Sequence, residues 1–247
     1  MLLVDLGGKV GIGAAEDLNL TPSFDLTTTV FESILFDASV PPFGSTEPPA
    51  DRKSEEPGFF GLNSVSDAAE LATLGASALP GLADVSVSLV SNVYFWDGTG
   101  SVDFSLAPAS TTFEFDPSVA FGTTNANGGM DNHPDFVLEA DPGVPADGVY
   151  AIRAIVSVDG IAQSSDPLTL VMLSDALILS EDDAEIAEEA IEDGIVATLE
   201  SGAMKDFAFY EEAVELLEAA PAALPEPSSM FLAIGLGFGV LGRNRKK

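Results

Sequence analysis

Cysteine is absent from the 247 residues, and histidine occurs once, as His133. Without cysteine there is no disulfide framework, no thiol nucleophile and no thiolate metal centre, so the hydrophobic core must carry the stability. A single imidazole also excludes a zinc hydrolase built on clustered histidines. Positive charge is scarce: 9 Lys and Arg stand against 40 Asp and Glu, for a formal net charge of −31. A protein that replaces counterions on DNA or RNA needs a basic face, so no nucleic-acid partner is expected. No Gly-x-Ser-x-Gly elbow accompanies His133, which removes the usual setting of a serine triad. The forty carboxylates offer many pairs for glycoside cleavage and no spacing that singles one out. Catalysis is therefore not expected. What is present is apolar: 46% of the chain is hydrophobic, enough for a sizeable core in one or two domains.

Most of that apolar content is patterned for strands. Lys9 to Ala14 and Phe24 to Phe31 are rich in β-branched and aromatic residues and bounded by Gly7-Gly8 and Pro22. Ser39 to Gly58, with five prolines and a charged cluster at Asp51, Arg52, Lys53, Glu55 and Glu56, reads as a surface loop. Ser66 to Leu79 suits one short helix. From Asp84 the period-2 alternation is clear, with Val85, Val87 and Leu89 separated by Ser86 and Ser88. Strands follow at Val93 to Trp96, Ser101 to Leu106, Thr111 to Phe115 (Phe113 and Phe115 on one side), Phe136 to Glu139, Val149 to Val158 and Leu168 to Leu173, with Asp97-Gly98 and Asp159-Gly160 as turns. Tyr150, Ile152, Ala154, Val156 and Val158 share one face. Strands this frequent predict a mainly β fold, an antiparallel β-sandwich over residues 1–176, with Val85, Val87, Leu89, Tyr150, Ile152, Val156, Leu168 and Leu170 in its core.

The texture changes at Ser180. Ser180 with Asp183 forms a capping-box pattern, and Glu181, Asp182 and Asp183 put negative charge on a helix N-terminus. Ile186, Ala190 and Ile191 mark that helix's inner face. A second helix is expected over Lys205 to Ala220, where Phe207, Tyr210, Val214 and Leu217 recur at helical spacing before Pro221. Residues 177–220 are thus expected to form an acidic helical stalk.

The end of the chain is different again. Pro225, Glu226 and Pro227 precede an uncharged apolar run from Met230 to Gly242, closed by Arg243, Arg245, Lys246 and Lys247. Thirteen helical residues span ~20 Å, short of the ~30 Å hydrocarbon core, but flanking serines, snorkelling Lys and Arg and local thinning close part of the gap. A transmembrane helix is expected over 228–242, with the basic end held in the cytoplasm by the positive-inside bias. Gly235 and Gly239 form a small-xxx-small pair on it.

The order of these features resembles the PEP-CTERM sorting signal of Gram-negative bacteria, carried over residues 221–247. The resemblance implies an exosortase as processing partner and membrane lipid as the precursor's anchor. It implies an inner-membrane precursor and a processed form at the cell surface or outside the cell, near extracellular polysaccharide. Prior export is needed, yet Met1 to Gly13 shows no basic n-region and no apolar h-region. The expected start of the protein therefore lies upstream, or export takes another route. Glu56-Pro57-Gly58-Phe59, Tyr94 to Gly98, His133 to Phe136, Pro145 to Tyr150 and Ser165-Asp166-Pro167 resemble segments of uncharacterised secreted β-rich PEP-CTERM proteins, from which no chemistry carries over.

Two ligand readings accompany this. Asn125, Asn127, Asp131, Asn132 and Asp135 put oxygen donors on a Gly-bearing loop that suits calcium, without EF-hand spacing. Tyr94, Phe95 and Trp96 supply either core or a sugar-stacking platform, and exposure of the Trp96 ring distinguishes them. A non-enzymatic envelope or matrix protein is the leading expectation. A carbohydrate-binding or calcium-binding module is its alternative, and a surface hydrolase, which needs two facing carboxylates in a cleft, comes third.

Overall fold

A computed structural model describes residues 1–18, 21–37, 52–54, 56–115, 122–134, 136–141, 143–220 and 223–224. The fold is mainly β. Its first half runs β1 (Leu2–Asp5), β2 (Val10–Leu18), β3 (Thr21–Asp25), β4 (Val30–Asp37), β5 (Arg52–Ser54), β6 (Phe59–Gly61), α1 (Ala68–Leu74), β7 (Val85–Leu89), β8 (Tyr94–Trp96) and β9 (Ser105–Leu106). It continues through β10 (Thr111–Phe115), β11 (Met130–Asn132), β12 (Phe136–Ala140), β13 (Gly148–Val158), β14 (Leu168–Ser174), α2 (Glu181–Glu192), β15 (Ala197–Thr198), β16 (Met204–Lys205) and α3 (Ala208–Ala219).

Two sheets face each other. One has the order β11-β6-β1-β2-β3; the other runs β10-β12-β5-β4-β14-β13-β8-β9, with β7 also on β13. Pairing is antiparallel, as expected for most of the domain, except for β1 with β6 and β4 with β14, which are parallel. Leu3, Val10 and Phe59 of the smaller sheet and Phe31, Leu35, Phe136, Tyr150, Ile152 and Leu170 of the larger one share a single buried cluster, the filling of a sandwich.

The larger sheet is covered on both faces, which explains why its central strands are apolar at nearly every position. In β13, Tyr150, Ile152, Ala154, Val156 and Val158 enter the inter-sheet core, as the alternation predicts, while Val149 and Ala151 point to the opposite face. There they join Val171 and Leu173 of β14 and the inner faces of α2 and α3. The smaller sheet is capped in turn: Leu2 and Val4 pack with Leu71 of α1.

This packing corrects several expectations. Residues 177–220 do not stand apart as a stalk; Ala184, Ala187, Ala190, Tyr210, Ala213, Val214 and Leu217 are buried against the sheet together with Tyr94 and Trp96. Their apolar faces need a partner, and the second face of the β13–β14 sheet provides one. The inner face of α2 is Ala184, Ala187 and Ala190, with Ile186 and Ile191 at its margin rather than at its centre. The second helix begins at Ala208, because Lys205 is spent on the β15–β16 ladder.

Arg52 to Ser54, expected in a surface loop, form a buried strand between β4 and β12. Leu89, expected in the core, is 38% exposed, because β7 is an edge strand and Leu89 is its last residue. Val85, Tyr150, Ile152, Val156, Leu168 and Leu170 are buried as expected, and Val87 packs against the same core. No helix among the described residues is long and apolar enough to cross a membrane. The expected span 228–242 lies outside the described residues, as do Pro225, Glu226, Pro227, Arg243, Arg245, Lys246, Lys247 and Asp135.

Candidate functional site

The helical layer is anchored chemically as well as by packing. Ser180, extended at φ −146°, caps α2 by accepting a 3.1 Å bond from the Asp183 amide. The Asp183 carboxylate, 2% exposed, reaches back to accept from the Leu179 amide at 3.1 Å and across to the Glu200 amide at 2.8 Å. It therefore ties the start of α2 to the β15–β16 hairpin. Lys205 on that hairpin forms a 3.0 Å ion pair with the buried carboxylate of Asp175 just past β14. On α3, the fully buried Tyr210 hydroxyl donates to the Val171 carbonyl at 2.8 Å and accepts from the Ser33 amide at 3.1 Å. Burial, reinforced by the neighbouring Glu32 charge, pushes this phenol well above its ordinary range.

Above that tyrosine the layers part. A cleft of about 930 Å³ opens between β4, the 54–57 segment and the two helices. Its lining carries Glu32 from β4, Glu56 from the connection after β5, Glu181, Glu185, Glu188 and Glu192 from α2, and Glu211 from α3, and no Lys, Arg or His among the described residues. Burial is the larger cause that pushes the Glu32 carboxyl up to about 7, with the charges of Glu211, Glu218, Glu188 and Glu192 adding to it. Glu188 moves up in the same way, through burial first and then Glu192, Glu56 and Glu185. These are like charges gathered on one cleft, and each disfavours the ionisation of the others even though their side chains still reach solvent. Such a cleft repels anions and favours cations or protons.

Glu56 connects the cleft to the single histidine. Its carboxylate accepts from the Gly58 amide at 2.8 Å and lies 3.0 Å from His133 Nδ1, while His133 Nε2 lies 3.4 Å from Asp131. The imidazole lies over Gly58 so closely that a Cβ there would sit 2.5 Å from its Cε1. His133 is thus a loop residue paired with neighbouring carboxylates.

Of the oxygen donors assigned to calcium, Asn125 spends its side-chain carbonyl on its own loop, accepting from the amides of Asn127 at 2.9 Å and Gly129 at 3.2 Å. Asp131 sits on β11 facing His133, and Asn127 accepts from Ser64 through its backbone carbonyl. Among the described residues no three acidic, His or Cys side chains gather closely enough to hold a metal ion.

The aromatic run resolves as core. Tyr94 and Trp96 are 2% and 4% exposed, and Phe95 packs on Tyr150 with ring centroids 4.8 Å apart. Trp96 donates its indole N–H to the Thr99 carbonyl at 3.2 Å and meets Phe209 of α3 edge-on at 6.2 Å. These rings are not available as a sugar platform. The acidic cleft itself escaped the sequence reading, because residues 32, 56, 188 and 211 come together only through tertiary packing and carry no shared spacing.

No family model and no curated protein matches the chain. Among solved structures, it shows similarity to the ASH/PapD-like domain of human CEP192, at 17% identity over 42% of this chain and 79% of that one, with a TM-score of 0.24. A family 123 glycoside hydrolase from Clostridium perfringens is similar at 9% identity over 59% of this chain and 22% of that one, with a TM-score of 0.23. Superposition at this level is too poor to place the chain in either group.

Proposed function

We propose that the chain is an exported, non-enzymatic envelope or extracellular-matrix protein whose β-rich body is presented outside the cell after exosortase processing of its C-terminal signal. One observation carries this reading: Pro225-Glu226-Pro227, an apolar run and a basic end follow one another in that order after Leu224, the last buried side chain among the described residues. The division of labour is chemical. The apolar run partitions into lipid, Arg243 to Lys247 resist translocation and stay cytoplasmic, and the two prolines keep the intervening segment from regular helix so that a processing enzyme meets extended chain. Net charge of −31 suits a protein that must remain dispersed among polysaccharide outside the cell. The rival reading as a carbohydrate-binding module loses support with the burial of Tyr94 and Trp96.

Replacing Pro225, Glu226 and Pro227 together by alanine in an exosortase-bearing host tests the proposal. Membrane insertion should persist while full-length precursor accumulates in the inner membrane. Processing and release equal to the parent would overturn the sorting-signal reading.

A further inference from the structure

The two helices are held to the larger sheet unequally. α3 is seated by Tyr210, Val214 and Leu217, whereas α2 buries Ala184, Ala187 and Ala190 with Ile186 and Ile191 at the margin, a smaller apolar contact. Beside this thin contact runs the cleft, where Glu32 on the sheet faces Glu188 and Glu192 of α2, Glu211 and Glu218 of α3, and Glu56 beyond the end of β5. The cations on this side of the sheet are not among the cleft's lining residues: Lys53 on β5 lies opposite Phe36, Arg153 is two strands from β4 in the ladder, and Lys205 is committed to Asp175. We propose that the acidic cleft makes the α2–α3 layer a pH-responsive cover, seated on β4 and β14 in mild acid and loosened towards neutral pH, while the inter-sheet core stays closed.

The direction follows from proton linkage. A carboxyl whose folded pKa lies above its unfolded value binds a proton more tightly in the docked state, so docking is undisturbed below the unfolded value near 4.5 and is progressively penalised as pH rises to about 7. Glu32 is exposed, as are Glu188, Glu192 and Glu211, so water screens much of the effect. What remains is expected to change the docking equilibrium by about tenfold across that range. The inter-sheet cluster around Tyr150, Ile152 and Leu170 is built of hydrophobic side chains, so the response is expected on the opposite face of the sheet.

Hydrogen–deuterium exchange of the full chain, corrected for intrinsic rates, tests this between about pH 5 and about pH 8. Amides of α2 and α3 should lose about tenfold protection across that range while those of the Tyr150–Val156 stretch hold theirs. Glu32→Gln should remove most of the loss, and roughly 1 M NaCl should restore protection at the alkaline end. Glu188→Gln provides the same test if the Glu32 variant does not fold. Protection that is constant with pH, that falls equally in β13, or that is indifferent to both salt and the neutral substitutions would overturn the proposal.

Discussion

The hydroxyl of Tyr210 on α3 sits 2.8 Å from the carbonyl of Val171 on β14, and it is the same hydroxyl that receives the amide of Ser33 on β4. β4 and β14 are parallel neighbours in register, with Val171 opposite Glu32. One phenol therefore bridges two strands and a helix in a place water does not reach. Removing it in Tyr210→Phe leaves a buried donor and a buried acceptor short of a partner. Loss of about 1–3 kcal/mol is expected, read as a lower denaturant midpoint with an unchanged slope.

Trp96 is the only tryptophan and reports on the same layer. Its ring is buried edge-on against Phe209, and a Cβ at Gly98 would lie 2.8 Å from that phenylalanine. Emission from the folded protein should be blue-shifted and poorly quenched by acrylamide. Phe209→Ala should shift emission to the red and cost about 0.5–1.5 kcal/mol beyond the area it uncovers. An indole freely quenched in the parent would contradict its burial.

Asp183 is worth more than a helix cap. Its two oxygens serve Leu179 and Glu200, so Asp183→Ala strips a partner from two backbone amides, whereas Ser180→Ala strips one. The expected order is a loss of about 1 kcal/mol for the serine and roughly 2–4 kcal/mol for the aspartate. Equal effects in thermal unfolding would show that the Glu200 link is idle.

Lys205→Met should destabilise by about 1.5–3 kcal/mol, because it leaves the carboxylate of Asp175 in a buried site with only the Leu177 amide. Combining it with Asp175→Asn should recover part of the loss, and the double-mutant cycle gives the coupling between the two side chains.

How far the sequence foretold this depends on which signal a residue carries. Tyr150 to Val158 was legible because alternation survives where one face meets the second sheet, and Ser180 with Asp183 because a cap is local chemistry. Phe207, Tyr210, Val214 and Leu217 were legible from helical spacing alone. Arg52-Lys53-Ser54 was not: three polar residues look solvated, and their burial is imposed by β4 and β12 on either side. The site was the least legible part. Glu32 alternates with apolar neighbours like any outward strand residue, and only the return of α2 and α3 over that face gives it company.

Leu224 is fully buried in the cluster beneath α3, one position before Pro225. Every core side chain named above lies at or before it, which makes the junction a thermodynamic seam. A cut within Pro225-Glu226-Pro227, where processing is proposed, would spare every buried side chain among the described residues, so the body is expected to melt at the same temperature before and after it. A cut even two residues earlier would take Leu224 with it and open a cavity under the helices, at a cost of about 2–5 kcal/mol. If the chain is cut as proposed, the position of one leucine separates a harmless cut from a damaging one.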